Sequence, residues 1–279
     1  MVKIVTDSLS DITSDVAQGL GIAVVPLTVL FGHETFLDRV TITTDEFYRR
    51  LINGTVWPTT TQPTPKAFAD VYDKLAAETD EVLVITVSSK LSGTYQSATG
   101  GKSMTTKRCR VEVIDSQTVA MGLGLIVLAA AKKAQAGAKL NELVDFVHKS
   151  LSRSHLIIYF DTLKYLAKGG RVGRAQGFLG ALLTVKPILT VKEGEIAPLT
   201  RVRSLAAGMD YIYNAVAAIS PVEALAVEHT TNPDDAERMA ERLGSIIPKD
   251  HIHRSTVSPV IGVYAGPGAF AVTVFAAEK

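Results

Sequence analysis

The stretch EVLVITVSSKLSGT, residues 81–94, brings together the three features that indicate the fold class. Its apolar run EVLVITVSS (81–89) is rich in β-branched residues and predicts a buried strand. The hydroxyl-rich loop SSKLSGT (88–94) follows, and a helical pattern occupies 94–105. A strand that passes through a short loop into a helix is the repeating unit of an α/β fold.

The same alternation continues on both sides of this stretch. In the first half of the chain we expect strands at 3–8, 24–31, 81–89 and 111–116, and helices at 44–53, 65–77, 94–105, 119–136 and 140–151. In the second half we expect helices at 162–168, 174–183, 204–219 and 233–245, and strands at 188–192, 195–199, 222–228, 252–263 and 270–275. The patterns predict two α/β domains, a parallel-sheet domain over 1–152 and a mixed-sheet domain over 153–279.

Composition excludes several classes of protein. The 279 residues carry 29 Lys and Arg against 28 Asp and Glu, so no global field favours nucleic acid or an acidic membrane. The single cysteine, Cys109, cannot form an internal disulfide and fits a reducing compartment. The N-terminus lacks a signal-peptide pattern, and the longest apolar run, 119–131, is shorter than the roughly 20 residues of a membrane-spanning helix. We therefore expect a cytoplasmic protein.

The sequence contains no complete motif for catalysis, metal binding or cofactor binding. GGKS (100–103) resembles the end of a P-loop, but the motif requires glycine where the chain has Gln96. GLGLIV (122–127) lacks the third glycine of a dinucleotide fingerprint and lies in a helical pattern. The six histidines form no ligand motif, and there is no GxSxG elbow. We expect no catalytic residue, no metal site and no cofactor.

Hydroxyl groups collect where three strands of the first half end, in TDS (6–8), SSKLSGT and IDS (114–116). Ligands of open parallel sheets bind at this edge. Ser92 is expected at the N-cap of the next helix, where Gly93 lets the backbone approach an anion. Thr60, in the loop WPTTTQPTP (57–65), offers a second hydroxyl. From chemistry alone, simple helix capping is the more economical explanation of these hydroxyls.

Several stretches together resemble the DegV family in order and spacing, and they cover nearly the whole chain. They are IVTDSLSDIT, TTTQPTP, SSKLSGTYQSA, IDSQTVAMGLG, YLAKGGRVGRAQGFLGALLTVKPIL, RVRS and GPG. The resemblance implies two α/β domains with one long-chain fatty acid buried between them. It also implies a partner fatty acid kinase, which phosphorylates the presented carboxylate with ATP for phospholipid synthesis. The chain itself then contributes no catalytic step.

The resemblance also assigns ligand-binding residues. The carboxylate-binding threonine of the family falls on Thr60, and the serine that usually follows it is replaced by Thr61. The binding serine falls on Ser92, beside Gly93. A histidine often precedes the GPG turn, but this chain has Tyr264 in VYAGPG. A tyrosine hydroxyl can donate to a carboxylate, yet it carries no positive charge at neutral pH.

A basic stripe extends over residues 164–203. Within it, KGGRVGR places basic side chains around glycines, a shape suited to phosphate. We expect five residues to meet the kinase or the acyl phosphate: Lys168, Arg171, Arg174, Arg201 and Arg203. The alternative is an ordinary solvated face with ion pairs.

Other interpretations stay open from sequence. The chain is either a fatty-acid carrier, a small-molecule phosphotransferase, or a lipid-sensing regulator. The tunnel walls of a carrier are sought in VVPLTVLF (24–31) and GFLGALLTV (177–185), although both patterns suit an ordinary core equally well.

Overall fold

The computed structural model describes residues 1–178 and 185–278. Its strands are β1 (Lys3–Asp7), β2 (Ala23–Val25), β3 (Thr28–Phe31), β4 (Glu34–Leu37), β5 (Thr59–Thr61), β6 (Glu81–Thr86), β7 (Arg110–Asp115), β8 (Ser154–Tyr159), β9 (Lys186–Lys192), β10 (Glu195–Val202), β11 (Val222–His229), β12 (Ile252–Thr256) and β13 (Phe270–Ala276). Its α-helices are α1 (Ser14–Gly19), α2 (Thr44–Asn53), α3 (Pro65–Leu75), α4 (Thr94–Lys102), α5 (Met121–Gln135), α6 (Leu140–Ser150), α7 (Lys164–Gly169), α8 (Leu205–Ala217), α9 (Pro233–Leu243) and α10 (Pro259–Ala265).

The strands form a parallel sheet, a mixed sheet and a small antiparallel sheet. The parallel sheet has the order β2-β1-β6-β7. The mixed sheet has the order β10-β9-β8-β13-β11-β12, in which only β11 and β12 run parallel. The small sheet has the order β4-β3-β5. The predicted α/β class, with a parallel sheet in the first half and a mixed sheet in the second, is confirmed.

Helix α5 joins the two large sheets. It contacts β1 and β6 of the parallel sheet and β8, β11 and β13 of the mixed sheet. Eleven of its fifteen residues are buried, as expected for a helix that is apolar on all sides. The largest hydrophobic core therefore draws on both halves of the chain. The division into domains 1–152 and 153–279 stays a prediction.

The predicted single strand at 24–31 is wrong, because the chain changes sheets within it. Residues Ala23–Val25 pair with β1, whereas Thr28–Phe31 pair with β4 and β5. Pro26 lies between the two strands and has no N–H for a continuous ladder.

The predicted strand at 252–263 is also wrong in its second part. Strand β12 ends at Thr256, and Pro259 occupies the first turn of α10, where its missing N–H costs nothing. A short apolar run such as this one is compatible with either a buried helix or a strand, so the sequence pattern alone does not distinguish the two.

Two sequence predictions fall on residues 179–184, which lie outside the described part of the chain. Of the predicted helix 174–183, the described part belongs to the 3₁₀ helix Gly173–Phe178. The predicted tunnel wall GFLGALLTV lies mostly outside the described residues. Among the helices that the structure describes, none has the length and apolar content to cross a membrane.

Four carboxyl groups are almost wholly buried around the end of β1: Asp7, Asp11, Asp38 and Glu228. Asp7 accepts hydrogen bonds from the N–H groups of Leu9 (3.0 Å) and Val87 (2.8 Å). The Ser8 hydroxyl donates to Asp38 Oδ2 at 2.7 Å. Burial outweighs these donors and raises the pKa of Asp7 and of Asp38 to about 7.

The raised pKa of Asp38 predicts a pH-dependent free energy of unfolding. The folded chain holds this proton up to about pH 7, whereas an unfolded Asp loses it near its ordinary pKa of about 3.9. Stability is therefore lost as pH rises from about 4 to about 7. The side chain in Asp38→Asn stays neutral at every pH. The free energy of unfolding of the variant should therefore rise relative to that of the wild type over this interval by roughly 1–4 kcal/mol.

Urea unfolding of both chains at pH 4, 5.5, 7 and 8.5 measures this difference. Histidines with lowered pKa values contribute equally to both chains and cancel in the comparison. Parallel stability curves for variant and wild type would contradict the assignment.

Candidate functional site

Thr60 and Tyr264 meet across 204 residues of sequence. Thr60 lies in the middle of β5, half-buried, and its Oγ1 is 2.5 Å from the Tyr264 Oη, so either hydroxyl can donate. Tyr264 lies in the last turn of α10. Thr61 is exposed, and successive side chains of a strand point to opposite faces. The side chain of Thr61 therefore does not join the pair of hydroxyls.

The SSKLSGT loop packs against the segment that carries Thr60. A Cβ on Gly93 would lie 3.3 Å from the side chain of Gln62, which places Gly93 beside the end of β5. Gly93, not Ser92, is the N-cap of α4, so the predicted capping role of Ser92 is wrong. The Ser92 hydroxyl instead lies 2.8 Å from the Thr94 hydroxyl. The serine is half-buried and is not needed as the cap.

Arg171 supplies a positive charge beside Tyr264. Its guanidinium carbon lies 5.1 Å from the centroid of the Tyr264 ring. The guanidinium also donates to the carbonyls of Leu91 (3.3 Å) and Gly169 (2.9 Å), which tie it to the SSKLSGT loop and to α7. The sequence suggested Arg171 as a partner contact only. In the structure its guanidinium lies beside Tyr264, the position at which the resemblance implies a histidine.

An apolar cavity opens next to these groups. Arg171, Tyr264 and Leu91 form part of its wall, and aliphatic side chains such as Ile158, Leu166, Val260 and Ile261 form much of the rest. The space open to the centre of a water molecule is about 90 Å³, several times the roughly 10–15 Å³ that one water needs. None of the residues 24–31 lines it, so VVPLTVLF is ordinary core.

The basic stripe does not behave as one surface. Arg174 forms ion pairs with Glu193 (2.6 Å) and Glu195 (2.9 Å), and it holds the pKa of Glu193 below its usual range. Arg201 donates to the Gly177 carbonyl at 3.0 Å and lies over Phe178. For these two arginines the alternative of a solvated, internally paired face fits better.

Lys168 points back toward the segment that carries Thr60. Its Nζ lies 3.8 Å from the centroid of the Trp57 ring, and that ring stacks on Tyr165 with centroids 4.9 Å apart. Tyr165 in turn packs on the backbone of Gly266, where φ is +71° and a Cβ would lie 2.2 Å from the ring. Arg203 is exposed. Of the stripe, Lys168 and Arg171 therefore border the site.

Sequence reasoning missed three features of the site: Gln62, the Trp57–Tyr165 stack and the cavity-lining role of Arg171. The motif KGGR indicates a basic turn suited to phosphate, and it contains the sequence signal for Arg171. Across residues 1–178 and 185–278, no group of three or more His, Cys, Asp or Glu side chains is arranged so that it could hold a metal ion.

The fold and the site define an α/β protein with an apolar cavity whose wall includes Tyr264, the hydroxyl partner of Thr60. The chain belongs to the DegV family, because the model described as "uncharacterised protein, DegV family" matches residues 1–277. A DegV domain-containing protein of Caldanaerobacter subterraneus is 39% identical over 282 residues, covering 100% of this chain and 99% of the relative.

Solved structures agree with this assignment. A DegV family protein from Thermus thermophilus, described as binding fatty acid, superposes with a TM-score of 0.89 at 32% identity and covers 98% of this chain and 99% of that one. DegV of Bacillus subtilis, described as a fatty acid binding protein, gives a TM-score of 0.88 at 28% identity, with 98% and 99% covered.

The close approach of Gly169 to Tyr264 predicts the effect of one methyl group. A Cβ on Gly169 would lie 2.3 Å from the Tyr264 ring, so Gly169→Ala should push the ring away and break its hydrogen bond to Thr60. We expect a loss of 1–3 kcal/mol in stability, on the order seen for overpacking. Chemical denaturation and the near-ultraviolet circular dichroism of the tyrosines measure both effects.

Gly19→Ala, at the end of α1, is the matched control, because among the described residues a Cβ at Gly19 meets nothing within 4 Å. Equal behaviour of the two variants would show that the Gly169 contact does not fix Tyr264.

Proposed function

We propose that this chain binds one long-chain fatty acid in the cavity and presents the carboxylate to a partner fatty acid kinase. The observation that carries the proposal is the meeting of an apolar cavity with the Thr60–Tyr264 hydroxyl pair and the Arg171 guanidinium. The two structural relatives from Thermus thermophilus and Bacillus subtilis, both described as fatty-acid-binding, support the same ligand class.

The cavity and the hydroxyl groups contribute very different amounts to the free energy of binding. Burying roughly 15 methylenes at about 0.8 kcal/mol each contributes roughly 12 kcal/mol before the costs of binding. Each hydroxyl contact adds only about 1 kcal/mol. The acyl chain therefore sets affinity, and Thr60, Ser92 and Tyr264 set the position of the head group, with Gly93 and Thr61 beside them.

The charge of Arg171 completes the head-group site. A carboxylate at the Thr60–Tyr264 pair would have the Arg171 guanidinium nearby, since its carbon lies 5.1 Å from the centroid of the Tyr264 ring, and a nearby cation favours the ionised form of the fatty acid. An ionised carboxylate is the form that phosphorylation requires, because its oxygen attacks the γ-phosphorus of ATP, giving acyl phosphate and ADP. The kinase supplies the catalytic groups for this step.

The kinase would dock beside the head group. Lys168 and Arg171 border it and Arg203 is exposed, whereas Arg174 and Arg201 already have partners in this chain and would support the surface indirectly. A phosphoryl group arriving at the carboxylate would meet these cations.

Native mass spectrometry of the purified chain tests ligand binding directly. We expect a one-to-one adduct that matches a fatty acid, and the organic extract should identify its chain length. Should the chain appear without ligand, oleic acid is added back. Failure to bind it would overturn the proposal.

Ser92→Ala and Thr60→Ala test the head-group assignment. Both should lower the rate of ATP-dependent phosphorylation by the kinase by tenfold or more, with lipid affinity reduced only about fivefold, because each removes about 1 kcal/mol of binding but leaves the carboxylate misplaced. Thr59→Ala is the matched control, since Thr59 lies in the same strand on its exposed face. Full turnover of both site variants would show that the head group lies elsewhere.

A further inference from the structure

Glu228 is a buried acid in the wall of an apolar cavity, and this observation deepens the proposed function on which it rests. Glu228 lies in β11 with no exposed surface and lines the cavity. Its Oε2 accepts from the N–H of Met121 at 3.1 Å and its Oε1 from the Ser255 hydroxyl at 3.3 Å. Neither partner carries a charge that would neutralise a carboxylate.

The group that faces Glu228 is a second acid, Asp11, from the other half of the chain. Asp11 is also fully buried, and its Oδ1 accepts from the N–H of Ser258 at 3.2 Å. Arg39 reaches Asp11 at 3.7 Å. Within the described residues, Asp11 Oδ2 has no donor that meets hydrogen-bond geometry. One arginine cannot balance two buried carboxylates, so the pair requires a proton.

Backbone strain shows that this arrangement is specified by its surroundings. Asp11 and Arg39 have φ values of 51° and 57°, in the left-handed region that residues with a side chain rarely adopt. Ala120, which precedes the N–H bound to Glu228, has φ 57° and ψ −149°. Such a conformation persists only where neighbouring contacts impose it. Asp11 belongs to the carboxyl pair, Arg39 lies beside Asp11, and Ala120 precedes the residue whose N–H binds Glu228.

The pair lies along the cavity from the head-group site. Ser258, whose N–H binds Asp11, is the N-cap of α10, and Tyr264 lies in the last turn of the same helix. Six residues of α-helix at about 1.5 Å each separate Ser258 from Tyr264 by roughly 9 Å along the helix axis. An acyl chain whose carboxylate rests at Tyr264 would therefore pass Glu228.

We propose that the Asp11–Glu228 carboxyl pair is a determinant of lipid affinity, because it keeps the cavity wall neutral by retaining one shared proton. Removal of that proton leaves two adjacent negative charges beside an apolar chain, and bound fatty acid is released. Burial and mutual repulsion both raise the pKa of Glu228 well above its ordinary value, and burial raises that of Asp11. The pair therefore retains its proton to a higher pH than an ordinary carboxyl group does.

Other charged or titratable groups also face the pair. Those acting on Asp11 are Arg39, Asp7, Asp38 and Tyr48, and Tyr48 also faces Glu228. The pKa values of Asp7 and Asp38 are raised to about 7, and both groups are present in the wild type and in Glu228→Gln, so a loss of binding due to them is common to both chains.

The test is the affinity for cis-parinaric acid, a fluorescent fatty acid, between pH 6 and 10.5. The dissociation constant of the wild type should rise at least tenfold from pH 8 to pH 10.5, and that of Glu228→Gln should rise less than threefold. The ligand's own carboxyl group is common to both chains. Glu237→Gln, an exposed ion-paired glutamate on α9, is the matched control and should follow the wild type. Equal pH dependence of wild type and Glu228→Gln would overturn the proposal.

Infrared spectroscopy of the ligand-free wild type keeps the inference distinct from the proposed function. At pH 9, where Asp7 and Asp38 are ionised, a protonated-carboxyl band should remain, and it should fade at higher pH. Its absence at pH 9 would overturn the carboxyl pair, whether or not the lipid binds and whether or not Glu228→Gln folds. Presence of the band with no fatty-acid binding at any pH would reject the proposed function and, with it, the role in lipid affinity.

Discussion

The packing of α5 between the two large sheets is the constraint on which the rest of the structure depends. A helix that is apolar all round must be covered all round, and neither sheet alone can do this. The parallel sheet covers one side through β1 and β6, and the mixed sheet covers another through β8, β11 and β13. Because the N-terminus of α5 also binds Glu228, the same helix ties the core to the wall of the cavity.

Local units of the fold could be predicted because their signals are local. Strand β6 and helix α4 follow from one apolar run, one polar loop and one helical pattern, and the structure has them at Glu81–Thr86 and Thr94–Lys102. The predictions of one strand at 24–31 and of strand up to residue 263 are wrong, because a proline in each segment interrupts the strand. The effect of each proline depends on which segments pair with the chain there, and the sequence does not show that pairing. The change of sheet at Pro26 is therefore set by tertiary contacts.

The candidate site divides in the same way. Thr60, Ser92 and Gly93 belong to short motifs with recognisable spacing, so they could be proposed from sequence and resemblance. The contact between Thr60 and Tyr264 spans 204 residues, and that of Glu228 with Met121 spans 107. Neither periodicity nor composition carries such pairings. Arg171 was visible as charge, but only folding places its guanidinium over Tyr264 and its N–H groups on the Leu91 and Gly169 carbonyls.

The buried acids around the end of β1 also depend on long-range contacts, and those contacts give a physical reason for their presence. A core of this size could have used apolar residues at these positions, since replacing buried charged groups by well-packed apolar ones is often stabilising. These carboxyl groups instead accept hydrogen bonds from three different segments. Asp7 accepts from the N–H of Val87 after β6, Asp11 from the N–H of Ser258 before α10, and Asp38 from the hydroxyl of Ser8 in the turn after β1. That turn connects the parallel sheet to the cavity. Buried polar groups in an otherwise apolar core lower the stability of the fold, and such departures from the usual pattern are commonly found at functional sites.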